Sequence, residues 1–223
     1  METLEQIRVR LEKVLPMTQL DILPNECPAG ERSLLVAAAN AFAVAKFLRD
    51  DPQLQLDYCS NVTGVDWLPA TTKTKVKKKV VVEGVEKEVE ETIETLRSGC
   101  LEVVYHLYSM ELKHGPVVLR MRTEDRAEKV RLPSLTPLWR GAELQEREIY
   151  DLYGVIFEGH PDLRRILMWD GFVGHPMRRD YVAPDDYEYE PTPHDEVLDL
   201  AKKHYPADVK PEVKAEAKPE VKA

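Results

Sequence analysis

The residues whose types could do chemistry are concentrated in one stretch, EREIYDLYGVIFEGHPDLRRILMWDGFVGHPMRRDYV, which covers residues 146–182. Carboxylates and histidines are the side chains that most often transfer protons or bind metal ions. The candidates for such a role in this stretch are Glu146, Glu148, Asp151, His160 and His175. If the fold brought them together, they could form the site of a stand-alone metal-dependent enzyme, which is one hypothesis.

The spacing of these residues does not favour an autonomous active site. Glu146 and Glu148 are two positions apart, so on a helix they point in different directions. The sequence contains no HExxH, P-loop, GxSxG or GxGxxG motif. Its cysteines, Cys27, Cys59 and Cys100, are too far apart to ligate an iron–sulfur cluster or a structural zinc, and we expect reduced thiols. The residues alone therefore argue against an iron–sulfur cluster or a structural zinc in this chain.

The second half of the stretch has the composition of a surface that binds another protein. Arginine and aromatic side chains are enriched at protein interfaces, and arginine pairs with carboxylates in a fixed geometry. Proline stiffens a segment and lowers the cost of ordering it on binding. A long segment with weak periodicity also rarely forms a core of its own. We therefore predict that residues 155–206 form an extended arm that lies across a partner protein.

The whole chain has the properties of a single soluble domain with tails. It has 223 residues and a formal net charge of -9, so an overall basic surface for nucleic acid is not expected. Its longest apolar stretch, residues 34–48, is too short to span a bilayer. The N-terminus has no apolar region of the kind found in secretory signals. We expect the protein to meet a membrane only through its partners.

The elements that must position the arm are predicted from hydrophobic periodicity and from turn residues. Helices are predicted at residues 2–14, 32–49 and 137–153, with Gly154 as the stop of the last one. Strands are predicted at residues 19–23, within 54–69, at 100–112 and at 116–124, and a further one at 129–133. These elements predict a compact α+β domain with a mixed or antiparallel sheet flanked by helices. Arg147 and Asp151, four positions apart, could form an ion pair on the last helix.

Two segments differ in composition from the rest of the chain. Residues 72–98 hold a basic run, a valine run and an acidic run, which suggests a charged insertion with a hairpin around Glu83 and Gly84. Residues 207–223 repeat KPEVKA and have almost no aliphatic bulk, so we expect a disordered tail. The predicted organisation is thus a domain at 1–154, the arm at 155–206 and the tail at 207–223.

Residues 146–180 resemble the family of the C subunit of the proton-pumping NADH:quinone oxidoreductase, respiratory complex I. The family pattern is Glu-Arg-Glu, then Gly-His-Pro-Asp-Leu-Arg-Arg-Ile-Leu, then Gly-His-Pro-Leu-Arg-Lys-Asp-Tyr. The matching residues are Glu146, Arg147, Glu148, Tyr150, Asp151, Gly154, Phe157, Gly159, His160, Pro161, Arg164, Arg165, Ile166, Gly174, His175, Pro176, Arg178, Arg179 and Asp180. Weaker similarity extends over residues 1 to about 205. The family usually has Asn-Trp before its Glu-Arg-Glu, where this chain has Glu143-Leu144-Gln145.

The resemblance implies a cofactor-free component of the peripheral arm of the complex. It implies a compact α+β domain whose C-terminal segment wraps the D subunit beside the quinone pocket, with the B and I subunits as further neighbours. FMN and iron–sulfur clusters would reside in partner subunits, and the chain would lie on the cytoplasmic face of the inner membrane. A related membrane-bound hydrogenase or dehydrogenase stays an alternative. The implied interface residues are Glu146, Arg147, Glu148, Asp151, Gly159, His160, Pro161, Arg164, Arg165, His175, Pro176, Arg178, Arg179 and Asp180.

Overall fold

The computed structural model describes residues 2–25, 30–82 and 85–182, with residues 72–95 described by their backbone alone. Within these residues the chain forms three α-helices, a short 3-10 turn and nine strands. The helices are α1 (Leu4–Val14), α2 (Ala38–Asp50) and α3 (Glu143–Tyr153). The strands are β1 (Leu20–Leu23), β2 (Ser33–Val36), β3 (Tyr58–Trp67), β4 (Ala70–Val82), β5 (Val85–Arg97), β6 (Cys100–Ser109), β7 (His114–Arg122), β8 (Arg131–Pro133) and β9 (Ile156–Glu158).

Five of these strands form the central sheet in the order β1-β2-β7-β6-β3. β2 and β7 run parallel, and the other neighbours are antiparallel, so the sheet is mixed. β8, which precedes α3, and β9, which follows it, form a small parallel pair. β9 then leads into the C-terminal segment. This arrangement confirms the predicted α+β class with a mixed sheet and helices.

The core lies on one face of the central sheet, where period-2 alternation places apolar side chains. Val103, Tyr105 and Leu107 of β6 are fully buried and lie opposite buried residues of β7. Helical spacing brings Ile7 and Leu11 of α1 into the same core. None of the helices among the described residues has the length and apolarity needed to cross a membrane.

Three predicted elements have other bounds in the structure. The apolar run at residues 32–49 was predicted as one helix, but Ser33–Val36 is the strand β2 and the helix begins at Ala38. A short, continuously apolar run does not distinguish a buried strand from a helix, and pairing with β1 and β7 decides for the strand. The strand predicted within residues 54–69 is Tyr58–Trp67, and the helix predicted at 137–153 begins at Glu143, after the 3-10 turn.

The charged insertion forms the hairpin that its sequence predicted. β4 and β5 pair antiparallel from Ala70 and Arg97 to Val82 and Val85, and the turn residues 83–84 lie outside the described residues. The tail predicted at 207–223, and the part of the arm beyond residue 182, also lie outside them. The division into domain, arm and tail therefore stays a prediction.

Candidate docking site

The candidate site is the segment of residues 159–182, which we call the docking segment. It follows β9 directly, and in this part, all of which is described, the backbone forms turns and bends rather than helices or strands. It contains both His-Pro pairs and four arginines of the motif, Arg164, Arg165, Arg178 and Arg179. Its order therefore has to come from hydrogen bonds to other parts of the chain.

The first set of such bonds completes the C-terminus of α3. The last four carbonyl groups of a helix, here residues 150–153, have no partner within the helix. The N–H of Gly154 donates to the carbonyl of residue 150 over 3.0 Å, and its φ of 79° is the left-handed stop that the sequence predicted. The docking segment donates to the other three carbonyls. His175 Nδ1 donates to that of residue 151 at 2.9 Å, Met177 N to that of residue 152 at 3.1 Å and Arg178 Nε to that of residue 153 at 2.7 Å. The second His-Pro motif therefore caps this helix.

The buried carboxylate of Asp151 holds a second part of the docking segment. Its Oδ2 accepts the backbone N–H groups of Ile166, Leu167 and Met168 at 3.0, 2.8 and 2.8 Å. Arg165 Nη1 lies 3.2 Å from Oδ1. Consecutive backbone amides that converge on one anion form a nest that compensates the lost hydration of a buried charge. Asp151 is thus an anchor for residues 165–168.

A third anchor lies on the central sheet. Asp66 of β3 is buried and accepts two bonds from Arg126, at 2.6 and 2.7 Å, and the backbone N–H of Arg179 at 2.8 Å. Arg126 also contacts Asp180 at 2.9 Å, and Arg178 donates to the carbonyl of Arg126 at 3.0 Å. Burial raises the pKa of the Asp66 carboxyl, but the bonds from Arg126 and Arg179 outweigh burial and lower the pKa.

Glu146, the first acid of the motif, is fully enclosed. Its two carboxylate oxygens accept from Tyr105 Oη at 2.9 Å, Leu135 N at 2.9 Å, Ser134 Oγ at 2.6 Å and Thr136 Oγ1 at 3.0 Å. Burial raises the pKa of Glu146, and these hydrogen bonds act in the opposite direction. The residue therefore joins α3 to the central sheet and to the loop after β8. It has no exposed face to offer a substrate.

The ion pair expected between Arg147 and Asp151 is not formed. Arg147 instead donates to the carbonyl of Arg164 at 3.2 Å and lies 3.7 Å from the carboxylate of Asp162. Both helix residues face the docking segment, so each finds its partner there rather than along the helix. His160 Nε2, in addition, lies 3.0 Å from the carbonyl of Glu143 at the start of α3.

The chemistry-bearing residues are thus distributed over separate contacts and do not converge on one point. Across residues 2–25, 30–71 and 96–182, no three His, Cys, Asp or Glu side chains are placed to hold a metal ion. Of the predicted interface residues, Glu146, Arg147 and Asp151 are buried and the two histidines are half-buried. The exposed members are Glu148, Gly159, Pro161, Arg164, Arg179 and Asp180.

One premise of the sequence-based argument needs correction. Residues 155–206 were expected to take their order from a partner protein, yet residues 159–182 are held to α3 and β3 by the bonds described above. Sequence reasoning also missed the exposed aliphatic side chains Ile166, Leu167 and Met177. The run of three apolar residues at 166–168, in a segment without periodicity, was the signal available for them. That the segment binds a partner stays a prediction.

Comparison with known proteins identifies the family of the chain. The family model of the respiratory-chain NADH dehydrogenase 30 kDa subunit matches residues 34–187, more than half of the chain. The second C subunit of the NADH-quinone oxidoreductase of Rhizobium meliloti is 38% identical over 137 residues, which cover 61% of this chain and 58% of that protein. The C subunit of the Bordetella pertussis enzyme is 37% identical over 192 residues, which cover 78% and 84%. The alignment with the Rhizobium protein thus spans less than two thirds of its length.

A solved fragment named Nqo5 is 25% identical, with a TM-score of 0.39, over 72% of this chain and 96% of the fragment.

Proposed function

Since this chain belongs to the family of the respiratory-chain NADH dehydrogenase 30 kDa subunit, we propose that it is a non-catalytic component of an NADH–quinone oxidoreductase. In this proposal the complex passes electrons from NADH through FMN and iron–sulfur clusters of partner subunits to quinone, and translocates protons. The chain sits in the peripheral arm, against the D subunit and near the B and I subunits. It is held on the cytoplasmic face of the inner membrane through the complex.

The observation that carries this proposal is the agreement between the family match and the docking segment. The match extends over residues 34–187 and so includes all of residues 159–182. In α3 and in the docking segment, groups that could do acid–base chemistry are used for internal hydrogen bonds. Asp151 is fully occupied by four donors, and His175 by a helix carbonyl. Such an arrangement supports a role in assembly rather than in bond making.

The test is purification of the tagged chain from gently solubilised membranes, with an untagged strain as the control. We expect flavin-containing and iron–sulfur subunits of an NADH dehydrogenase to co-purify, together with a homologue of the D subunit and NADH:quinone reductase activity. Recovery of hydrogenase subunits instead would place the chain in a related membrane-bound complex. Recovery of the tagged chain alone, with no activity, would contradict the proposal.

A further inference from the structure

We infer that the docking segment contacts its partner through a small aliphatic surface, made of Ile166, Leu167 and Met177, while its histidine and arginine side chains chiefly hold this surface in place. The inference rests on the proposed function for the identity of the partner. It adds the chemistry of the contact: the occupant is another protein of the complex that offers an aliphatic surface.

The backbones of the three residues are all bonded to the last turn of α3. The amides of Ile166 and Leu167 bind the carboxylate of Asp151, and the amide of Met177 binds the carbonyl of Leu152. Arg165 connects the two halves of the segment, since its Nη2 donates to the carbonyl of Gly174 at 3.1 Å. Both halves of the segment are therefore bonded to one end of one helix.

The side chains themselves point away from the core of the domain. Leu167 is 57% exposed, Met177 52% and Ile166 39%. Single exposed apolar residues are ordinary on a protein surface, but three on one rigidly bonded segment are a feature of contact surfaces. Burying such side chains against an apolar partner is favourable in proportion to the area removed from water.

The polar groups of the segment are already engaged, which reduces what they can give to a partner. Arg178 donates to the carbonyls of Tyr153, Arg126 and Ala127, and Arg165 pairs with Asp151. Because the backbone is fixed before binding, the ordering cost of association falls mainly on the partner.

The exposed charges of the segment are of both signs. The side chain of Arg164 is 71% exposed and pairs with Asp162 at 2.9 Å, and Arg179 and Asp170 are exposed as well. A rim of mixed charge is typical of a contact with a protein, whereas an anionic lipid surface attracts clusters of basic residues. A lipid surface fits less well, because membrane-surface binding generally uses a basic amphipathic helix, and the docking segment has no helix.

The experiment compares Leu167→Asp and Met177→Asp with Leu112→Asp in the full-length tagged chain. Leu112 is also exposed, at 42%, but lies in the turn between β6 and β7. We expect each of the first two variants to lower the recovered NADH:quinone reductase activity, per mole of tagged chain, by about tenfold or more. Leu112→Asp should recover as much as the wild type. Thermal unfolding of each purified chain should give the wild-type midpoint.

The outcomes separate the inference from the proposed function. If the wild type recovers the complex and both Asp variants do so equally, the aliphatic contact is wrong and the proposed function stands. If the wild type recovers no NADH dehydrogenase subunit, the proposed function is wrong. If an Asp variant unfolds early, the milder Leu167→Ser and Met177→Gln take its place under the same criterion.

A flotation assay tests a lipid surface as the occupant. The wild-type chain is mixed with vesicles of phosphatidylglycerol and phosphatidylethanolamine, and we expect it to stay unbound. Binding that is lost in Leu167→Asp would assign the surface to lipid and overturn the protein contact.

Discussion

The carboxylate oxygen Oδ2 of Asp151 lies 2.8 Å from the backbone nitrogen of Leu167, so a buried charge on α3 fixes the position of an exposed leucine. The same oxygen accepts the amides on both sides of Leu167. Every residue except proline has such a backbone donor, so this contact depends on the carboxylate of Asp151 rather than on the residue types at 166–168. A substitution of Asp151 should therefore release residues 165–168 while the sequence of the docking segment stays unchanged.

We expect Asp151→Asn to lower the free energy of unfolding by about 3 kcal/mol. The amide oxygen can take the place of Oδ2 but carries no negative charge, and the amide NH2 group would then face Arg165, which loses its counter-charge. Urea unfolding followed by tryptophan fluorescence measures the change. Asp170→Asn is the matched control, since Asp170 is exposed on the same segment and should change stability by less than about 0.5 kcal/mol. Equal effects of the two variants would contradict the anchor.

Gly154 and Gly159 have nearly equal φ angles but different surroundings. Substituting each by alanine therefore distinguishes the cost of backbone strain from the cost of a steric clash. Gly154 has φ of +79°, and a Cβ there would lie 2.5 Å from Nε2 of His175. Gly159 has φ of +81° and no atom within 4 Å of such a Cβ. Gly159→Ala should cost about 1 kcal/mol from the backbone alone. Gly154→Ala should cost about 3 kcal/mol, because the histidine must also move. Denaturant unfolding of both variants measures the difference, and equal costs would rule out the contact with His175.

Glu146 should make the protein less stable as the pH rises. Its pKa is raised above the ordinary value of 4.5 by burial, so the folded state keeps its proton longer than the unfolded state does. The stabilising contribution is complete below pH 4.5 and is lost as the pH rises through the raised pKa. The free energy of unfolding of the wild type and of Glu146→Gln is measured over a pH series, and the wild type should become less stable relative to Glu146→Gln in that window. Glu148 is exposed on the same helix, and the unfolding free energy of Glu148→Gln should change with pH in the same way as that of the wild type.

Asp66 should have the opposite effect on the pH dependence. Its pKa lies below the ordinary value of 3.8, so its contribution is complete above that pH and is lost as the pH falls through the lowered pKa. Asp66→Asn should therefore be less stable than the wild type at neutral pH, by about 3 kcal/mol, and the difference should shrink in acid. Acid titration of the unfolding free energy measures this. A difference that stays constant down to the acid limit would show that the carboxylate charge is not what binds Arg126.

The parts of the fold that could be predicted from the sequence are those set by neighbours along the chain. The spacing of Ile7 and Leu11 predicts α1, and Gly154 correctly marks the end of α3. β2 was missed because Ser33–Val36 continues into an alanine-rich helix without a polar break. Only its position between β1 and β7, which depends on residues far along the chain, makes it a strand.

The candidate site was located by its motif, but its internal contacts could not be predicted. Asp66 and Arg179 are 113 positions apart, and nothing in either neighbourhood points to the other. Asp151 binds backbone amides, and almost every residue type has one, so the residue types at 166–168 do not reveal the contact. The arginines and histidines were therefore assigned to a partner, whereas Arg165, Arg178 and His175 have bonds within the chain.

The capping of α3 by the second His-Pro motif has a consequence for the order of events during synthesis. A chain emerges from the ribosome with its N-terminus first, so α3 appears before the residues that complete it. The carbonyls of Asp151 and Tyr153 bind partners that lie 24 and 25 positions later in the chain. A nascent chain that stalls before His175 has an unfinished helix and an unanchored segment. The carbonyls of the last turn of α3 therefore find their hydrogen-bond partners only after the docking segment has been translated. The complete helix forms only in a chain that contains this segment.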